Sequence, residues 1–176
     1  ATIFYIDCRN QQLTVFPPGK STGRMMSNAG RTRSFGAEAD LTYSIGGLQV
    51  RGSYGHTDAR FREYLSGNDN FAGNRLPYVP LNTISLGGDY RFAMKTTLKA
   101  VVLHCDYRGL GPIWWDEANS VSQDFYSQIG VSVRGDFKRF SVTLWGRNLT
   151  DADFNTFYFK SMGNSFVQKG KPVRLG

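Results

Sequence analysis

The residue types able to do chemistry are sparse in this sequence, and their spacing argues against a catalytic or metal centre. His56 and His104 stand about fifty residues apart, and neither has a cysteine or a paired carboxylate at the spacing of metal ligands, so packed or interfacial imidazoles are expected. Asp116-Glu117 could suggest acid catalysis, but adjacent residues on a loop point in different directions and no partner base is visible; ordinary loop acids are the expectation. Asn148-Leu149-Thr150 has the form of a glycosylation acceptor, yet it falls at a strand end and is read as shaping the strand exit. Cys8 and Cys105 lack metal-ligand spacing. With strands laid down in sequence order they lie roughly 19 Å apart, beyond the reach of a disulfide. No catalytic residue, metal ligand or cofactor is expected. The richer set is a binding one: Arg60, Arg62, Arg75 and Tyr78 in one loop, Trp114 and Trp115 in the next, Tyr158 and Lys160 in the last. Rings and cations so grouped suit an anionic or aromatic metal complex, through charge-assisted hydrogen bonds and stacking. The competing reading is that they pack the loops or form an interfacial girdle.

The elements that would position these residues follow from composition and periodicity. The formal charge is +7, but its carriers (Arg9, Lys20, Arg31, Arg51, Arg75, Arg91, Arg134, Lys169) are scattered and form no block. That argues against a nucleic-acid surface, which gathers its positive charge on one face. The longest apolar run, around Ala100 to Leu103, is far short of the roughly 18 to 20 residues of a membrane helix. A mean hydropathy of -0.36 beside 14% aromatic residues leaves membrane-spanning strands open, because strands alternating apolar and polar residues can line a closed barrel. No charged and apolar secretion signal opens the chain, and Ser165 to Gly176 reads as a strand cut off partway. The chain is therefore expected to be a piece of something longer.

Period-two alternation is clear in several runs. Ala37, Ala39, Leu41, Tyr43 and Ile45 alternate with Glu38, Asp40, Thr42 and Ser44; after Gly46-Gly47 the pattern resumes with Leu48, Val50, Gly52 and Tyr54 against Gln49, Arg51, Ser53 and Gly55. A tight turn at the diglycine pairs Ile45 with Leu48, Tyr43 with Val50 and Thr42 with Arg51. Ile129 to Phe137 and Phe140 to Leu144 fold the same way about Lys138-Arg139, and Ile84 to Phe92 is equally regular. Phe4, Ile6 and Cys8 opposite Tyr5, Asp7 and Arg9 supply an opening strand, and Phe166 to Leu175 a weak closing one. In Thr97 to Arg108 the run Val101-Val102-Leu103 interrupts the alternation, and its faces stay unassigned.

About eight strands result. Short turns at Gly46-Gly47, Ala93 to Thr96 and Lys138-Arg139 alternate with long connections at about Phe16 to Gly23, Ala59 to Leu81, Gly109 to Asp124 and Asp151 to Asn164, so the long loops share one end of the sheet. Outer-membrane barrels show this asymmetry, whereas Greek-key sandwiches mix their loop lengths. Glu38, Asp40, Arg51, Asp89, Arg91, Arg134, Asp136 and Arg147 fall on the polar faces. An arginine facing lipid near the midplane costs about 2 to 4 kcal/mol, so in a barrel these eight must face a wet or protein-filled lumen. Alternation alone equally allows a soluble sheet with its polar face in water.

Four segments carry a resemblance to the C-terminal barrel of TonB-dependent outer-membrane receptors. Asn28-Ala29-Gly30 with Ser34 to Glu38 resembles the family's "NAG...GxE" strand, and Leu76-Pro77-Tyr78-Val79-Pro80 its proline-rich loop exit. Trp145 to Asp151 resembles the penultimate-strand "NLxD" signature, and Gly170 to Gly176 the "GxPR" opening of the last strand, without that strand's terminal aromatic residue. Phe157 to Asn164 resembles receptors of the Bacteroides group. The resemblance implies an all-β fold: antiparallel up-and-down transmembrane β-barrel strands, residues 1–176 forming the C-terminal arc of a 22-stranded barrel with the plug absent and the final strand truncated. It implies a cell outer-membrane transporter, not an enzyme, importing a scarce large nutrient such as a ferric siderophore, haem or cobalamin. Its implied partners are outer-membrane lipid and lipopolysaccharide, the plug of the parent chain, and TonB through that plug. A soluble calycin-like barrel holding a lipophilic ligand fits the size but needs an apolar interior. An all-β glycosidase fragment has no convergent carboxylate pair to recommend it.

Overall fold

Alternating residues pair wherever a tight turn lets them, and the result here is a meander. The computed structural model describes residues 1–10, 12–15, 25–28, 30–161 and 163–176. Its main sheet is antiparallel, with strands β1 (Thr2–Arg9), β2 (Arg31–Ile45), β3 (Leu48–Glu63), β4 (Asn82–Ala93), β5 (Leu98–Gly111), β6 (Tyr126–Phe137), β7 (Ser141–Arg147) and β8 (Arg174–Leu175). Neighbours in sequence are neighbours in the sheet, and β1 and β8 are its two edges among the described residues. No helix occurs among the described residues. Strands β2 to β6 run 12 to 16 residues, longer than the roughly 9 to 11 that cross a bilayer.

The register pairs Ile45 with Leu48, Tyr43 with Val50 and Thr42 with Arg51, as alternation requires. Gly46 turns the chain at a φ of 55°, a left-handed angle that favours glycine. Across β6 and β7 the pairs Val133–Leu144 and Gly135–Val142 close the hairpin at Lys138-Arg139. The connection expected at 16–23 lies outside the described residues, as do Ala29 and Met162 of the family-like segments.

Two expectations need correction, and one open assignment closes. In β1 the apolar set Phe4, Ile6 and Cys8 pairs with Gly36, Ser34 and Thr32, on the face of Glu38, while Ile3 and Tyr5 share the face of Ala37 and Phe35. The reason is local: a Cβ on Gly36 would lie 2.3 Å from the Phe4 ring, so Phe4 fills the room this glycine leaves. The closing run divides. Asn164–Lys169 pairs with Asn155–Ser161 in a loop ribbon, and only Arg174–Leu175 joins the sheet. Pro172, without an N–H to donate, separates the two pieces. The unassigned strand is resolved by its partners: Val101, Leu103, Cys105 and Tyr107 face with Phe92, Tyr90, Gly88 and Leu86, while Val102, His104, Asp106 and Arg108 face with Arg91, Asp89, Gly87 and Ser85.

Followed through every ladder, one face is apolar and open. Ile3, Tyr5, Phe35, Leu41, Tyr43, Val50, Tyr54, Leu86, Tyr90, Leu103, Val133, Val142 and Leu144 are all exposed on it, Leu41 by 67% and Leu144 by 68%. A continuous apolar surface of this extent marks a face that another apolar phase covers. Nearly all the tightly buried apolar side chains lie instead at the loop end: Ala59, Phe61, Tyr64, Ile113, Trp115, Phe154 and Tyr158. No second sheet or helix seals the apolar face among the described residues, and the soluble alternatives lose their core.

Candidate functional site

The other face carries the ionic residues. Glu38, Asp40, Arg51, Asp89, Arg91, Arg134, Asp136 and Arg147 share it through the strand registers. Six of them are brought into contact with a neighbour. Arg51 meets Asp89 at 2.5 Å, and Asp136 accepts from Arg91 at 3.1 Å and from Ser141 at 2.9 Å and pairs with Arg134 at 3.1 Å. Arg147 stacks over Trp145 at 5.0 Å. Glu38 and Asp40 make no ion pair among the described residues.

His104 gains carboxylate neighbours that its spacing along the chain did not reveal. Its Nδ1 lies 2.7 Å from Asp89 across the ladder and its Nε2 lies 3.6 Å from Asp106 on its own strand. Arg108 continues the row at 3.5 Å from Asp106. Spacing along the chain hides a partner supplied by the adjacent strand. The signal was nevertheless present, since His104, Asp106 and Arg108 recur at period two beyond the interrupting valines. His56 lies on the apolar face and shares the Asn82 side-chain oxygen with the Tyr54 hydroxyl, each at 2.9 Å. Cys8 and Cys105 are both free, on opposite faces. Among the described residues no group of three or more His, Cys, Asp or Glu is placed to hold a metal ion.

Two clefts, of about 630 and 380 Å³, open on the ionic face. The larger lies toward the loop end, between β5, β6 and β7 and the β7–β8 connection, with His104, Asp106, Arg108, Arg147, Lys171 and Arg174 in its wall. Arg147, Lys171 and Arg174 make no ion pair among the described residues. The Nε of Arg174 is buried without a hydrogen-bond acceptor. Cations held this way in a partly enclosed space favour an anionic occupant, since a weak dielectric strengthens the attraction. The second cleft is lined by Ser53, Thr83, Ser85, Arg108, Tyr126 and Gln128 among others.

Asn148 and Asp151 fix the loop end of β7. Both are left-handed, with φ of 51° and 47°. The buried Asn148 side chain donates to the carbonyls of Ala152 and Lys171 at 3.2 and 3.1 Å and accepts the Ala152 N–H at 3.1 Å. Asp151 accepts the Val173 N–H at 3.2 Å. The motif thus ties the strand exit to the far end of the same connection.

Of the eight candidate ligand residues in the loops, six (Arg60, Arg75, Tyr78, Trp114, Trp115 and Tyr158) converge, and they do so on one another, while Arg62 is exposed at the end of β3. The Tyr78 hydroxyl donates to the Tyr158 carbonyl at 2.7 Å, and its ring lies 5.6 Å from both Trp115 and Phe157. Trp115 and Tyr158 are buried with Ile113 against Leu110 and Val121. The Trp115 Nε1 is buried without an acceptor. Arg75 lies over Trp114 at 4.7 Å and bonds Asp58 at 2.9 Å, while its backbone and Asn119 exchange hydrogen bonds at 2.7 and 2.9 Å. Burial works to lower the Arg75 pKa, and the Asp58 carboxylate opposes that effect. Arg60 bonds Asp58 at 2.9 Å and the Gly73 carbonyl at 3.1 Å, and its register with Arg33 sets it on the apolar face. Lys160 stands apart and exposed on the ribbon of the last loop.

The TonB-dependent receptor-like β-barrel model matches residues 1–149. The ferrioxamine receptor of Yersinia enterocolitica is 29% identical over 119 residues, which is 67% of this chain and 16% of that receptor. The crystal structure of the ferric yersiniabactin uptake receptor FyuA from Yersinia pestis superposes with a TM-score of 0.81 at 20% identity, over 98% of this chain and 25% of that one. The siderophore receptor PiuA from Acinetobacter baumannii gives 0.73 at 16% identity, over 97% of this chain and 24% of that one. The chain therefore spans a quarter or less of the length of these relatives.

Proposed function

Because the chain belongs to the TonB-dependent receptor-like β-barrel family, we propose that it is a run of transmembrane strands from an outer-membrane transporter, with lipid against its apolar face and a passage along its ionic one. The observation that carries this reading is the opposition of the two faces. Thirteen named apolar side chains stand exposed on one, while every in-strand charge of the lumen set lies on the other. The relatives named for ferrioxamine and ferric yersiniabactin make a ferric siderophore the first cargo to test, ahead of haem or cobalamin.

Within this reading the cleft bounded by Arg147, Lys171 and Arg174 lies on the cargo's path. Tyr78, Trp114 and Lys160 are the loop groups placed to meet cargo, and Arg60, Arg75, Trp115 and Tyr158 hold the loops that present them. Outer-membrane lipid and lipopolysaccharide, a plug within the barrel and TonB acting through that plug are the partners. No bond-making step is assigned to any residue.

The test is uptake of radiolabelled iron, as a cationic ferric trihydroxamate, a neutral one and ferric citrate, by cells whose one siderophore receptor is the complete receptor carrying this chain. Import of at least one chelate, reduced by the Arg147→Glu/Arg174→Glu pair while surface abundance holds, is expected. Failure of all three, and of haem and cobalamin, rejects the transporter reading.

A further inference from the structure

A row of contacts crosses the ionic face, and its middle member is an imidazole. Arg51 meets Asp89 at 2.5 Å, and Asp89 meets the Nδ1 of His104 at 2.7 Å. The Nε2 of His104 lies 3.6 Å from Asp106, which lies 3.5 Å from Arg108. A neutral imidazole carries one N–H, and with the Asp89 carboxylate on Nδ1 the hydrogen belongs there. Nε2 then turns a lone pair toward Asp106. An imidazolium instead donates on both sides, and the row alternates cation and anion from Arg51 to Arg108. Histidine is the side-chain type that makes this change between about pH 5 and 8.

The charged groups that share this face around His104 are Asp89 and Arg91 of β4, Arg134 and Asp136 of β6, Arg51 of β3 and Arg147 of β7, with Asp106 and Arg108 on its own strand. Asp136 holds both Arg91 and Arg134, and Asp89 holds Arg51. Asp106 is the link to the larger cleft. A Cβ on Gly130 would lie 2.3 Å from its Oδ2, so the carboxylate leans across this glycine of β6, on the side of β7. There it shares the cleft wall with Arg108, Arg147, Lys171 and Arg174, one carboxylate against four cations. While His104 is neutral, Asp106 opposes any anion that enters. Once His104 is charged, its Nε2–H compensates that carboxylate and adds a positive charge to the wall.

We propose that His104 is a positioning residue that makes the cleft's hold on an anion proton-linked: acting through Asp106, it strengthens binding as the medium acidifies and weakens it as pH rises. This rests on the reading of the ionic face as the wall of an aqueous passage. The complete receptor in nanodiscs is to be titrated calorimetrically with a naphthalene trisulfonate, a strong-acid anion whose own charge does not change with pH. Binding about tenfold tighter at about pH 5.5 than at about pH 8 is expected, with net proton uptake near neutrality read from the dependence of the heat on the buffer's ionisation enthalpy. His104→Gln is expected to bind with a weak affinity that no longer varies with pH, and His104→Lys, a fixed cation, with a strong one that does not vary either. A merely structural role would lower both alike. The Arg147→Glu/Arg174→Glu pair abolishes binding if the probe sits in this cleft. Zero proton uptake by the wild type, which needs no variant, overturns the linkage, as does a Gln variant that keeps the pH change. Absence of binding at every pH, or binding undiminished in the Glu pair, overturns the site itself. No iron import enters the measurement, so its failure is separate from failure of the transporter reading.

Discussion

At the scale of single residues, the side chains that hold this structure are those making backbone bonds where the chain leaves a strand. Asn148 combines a left-handed backbone with four hydrogen bonds at a buried side-chain amide, so two substitutions separate its two roles. Asn148→Gly keeps the backbone and loses the bonds, and is expected to cost about 1 to 3 kcal/mol. Asn148→Ala adds the left-handed penalty of a Cβ, about 1 kcal/mol more. Urea unfolding midpoints of the complete receptor in lipid vesicles, with trypsin cleavage at Lys169, measure both. A glycine variant indistinguishable from wild type would show that the amide bonds contribute nothing. The motif was legible as a strand exit because Asn tolerates this conformation and caps its own turn. Its tie to Lys171 was not, since nothing in the sequence sets the path of the connection.

At the scale of elements, each strand was read well when its periodicity agreed with its neighbours and badly when it did not. Strands β2, β3, β4, β6 and β7 alternate cleanly, and register follows from matching faces. Strand β1 shows the limit: Phe4 and Ile6 look like members of the apolar face, yet pairing with Gly36 and Ser34 turns them to the other. A one-residue choice of face is set by the partner strand, and an eight-residue edge strand has few pairs with which to vote. The loops were located but their mutual packing was hidden, because loop-to-loop contacts have no period. Tyr78 makes the clearest prediction at this scale. Tyr78→Phe removes one hydrogen bond to the Tyr158 carbonyl and keeps the ring contacts, at about 1 kcal/mol. Tyr78→Ala also removes its rings' contacts with Trp115 and Phe157, about 0.5 to 1.5 kcal/mol each. Limited proteolysis of the folded receptor should cut the loop spanning residues 149–173 faster in the order wild type, Phe, Ala. Equal rates would mean that the loops move independently of this residue.

For the whole molecule, the decisive quantity is what medium each face meets, and two adjacent residues can ask it. Val133 is 46% exposed on the apolar face, paired with Leu103 and Leu144. Ser132, its neighbour in β6, faces the other way beside His104 and Trp145. In water an arginine at the exposed Val133 would be nearly neutral, because surface substitutions usually stay within about 0.5 kcal/mol. Against acyl chains the same change costs about 2 to 4 kcal/mol near the midplane, falling toward the interfaces. Ser132→Arg adds a cation to a polar face already holding Asp106 and carries no lipid penalty. The expected result in lipid vesicles is therefore a large loss of folding free energy for Val133→Arg and a small one for Ser132→Arg, although the residues are one peptide bond apart. Urea titrations of the two variants supply the comparison. Equal, small effects would place both faces in water and remove the reason for a barrel; equal, large effects would place lipid or tight packing on both. The asymmetric outcome alone follows from a curved sheet that separates a bilayer from an ionic passage.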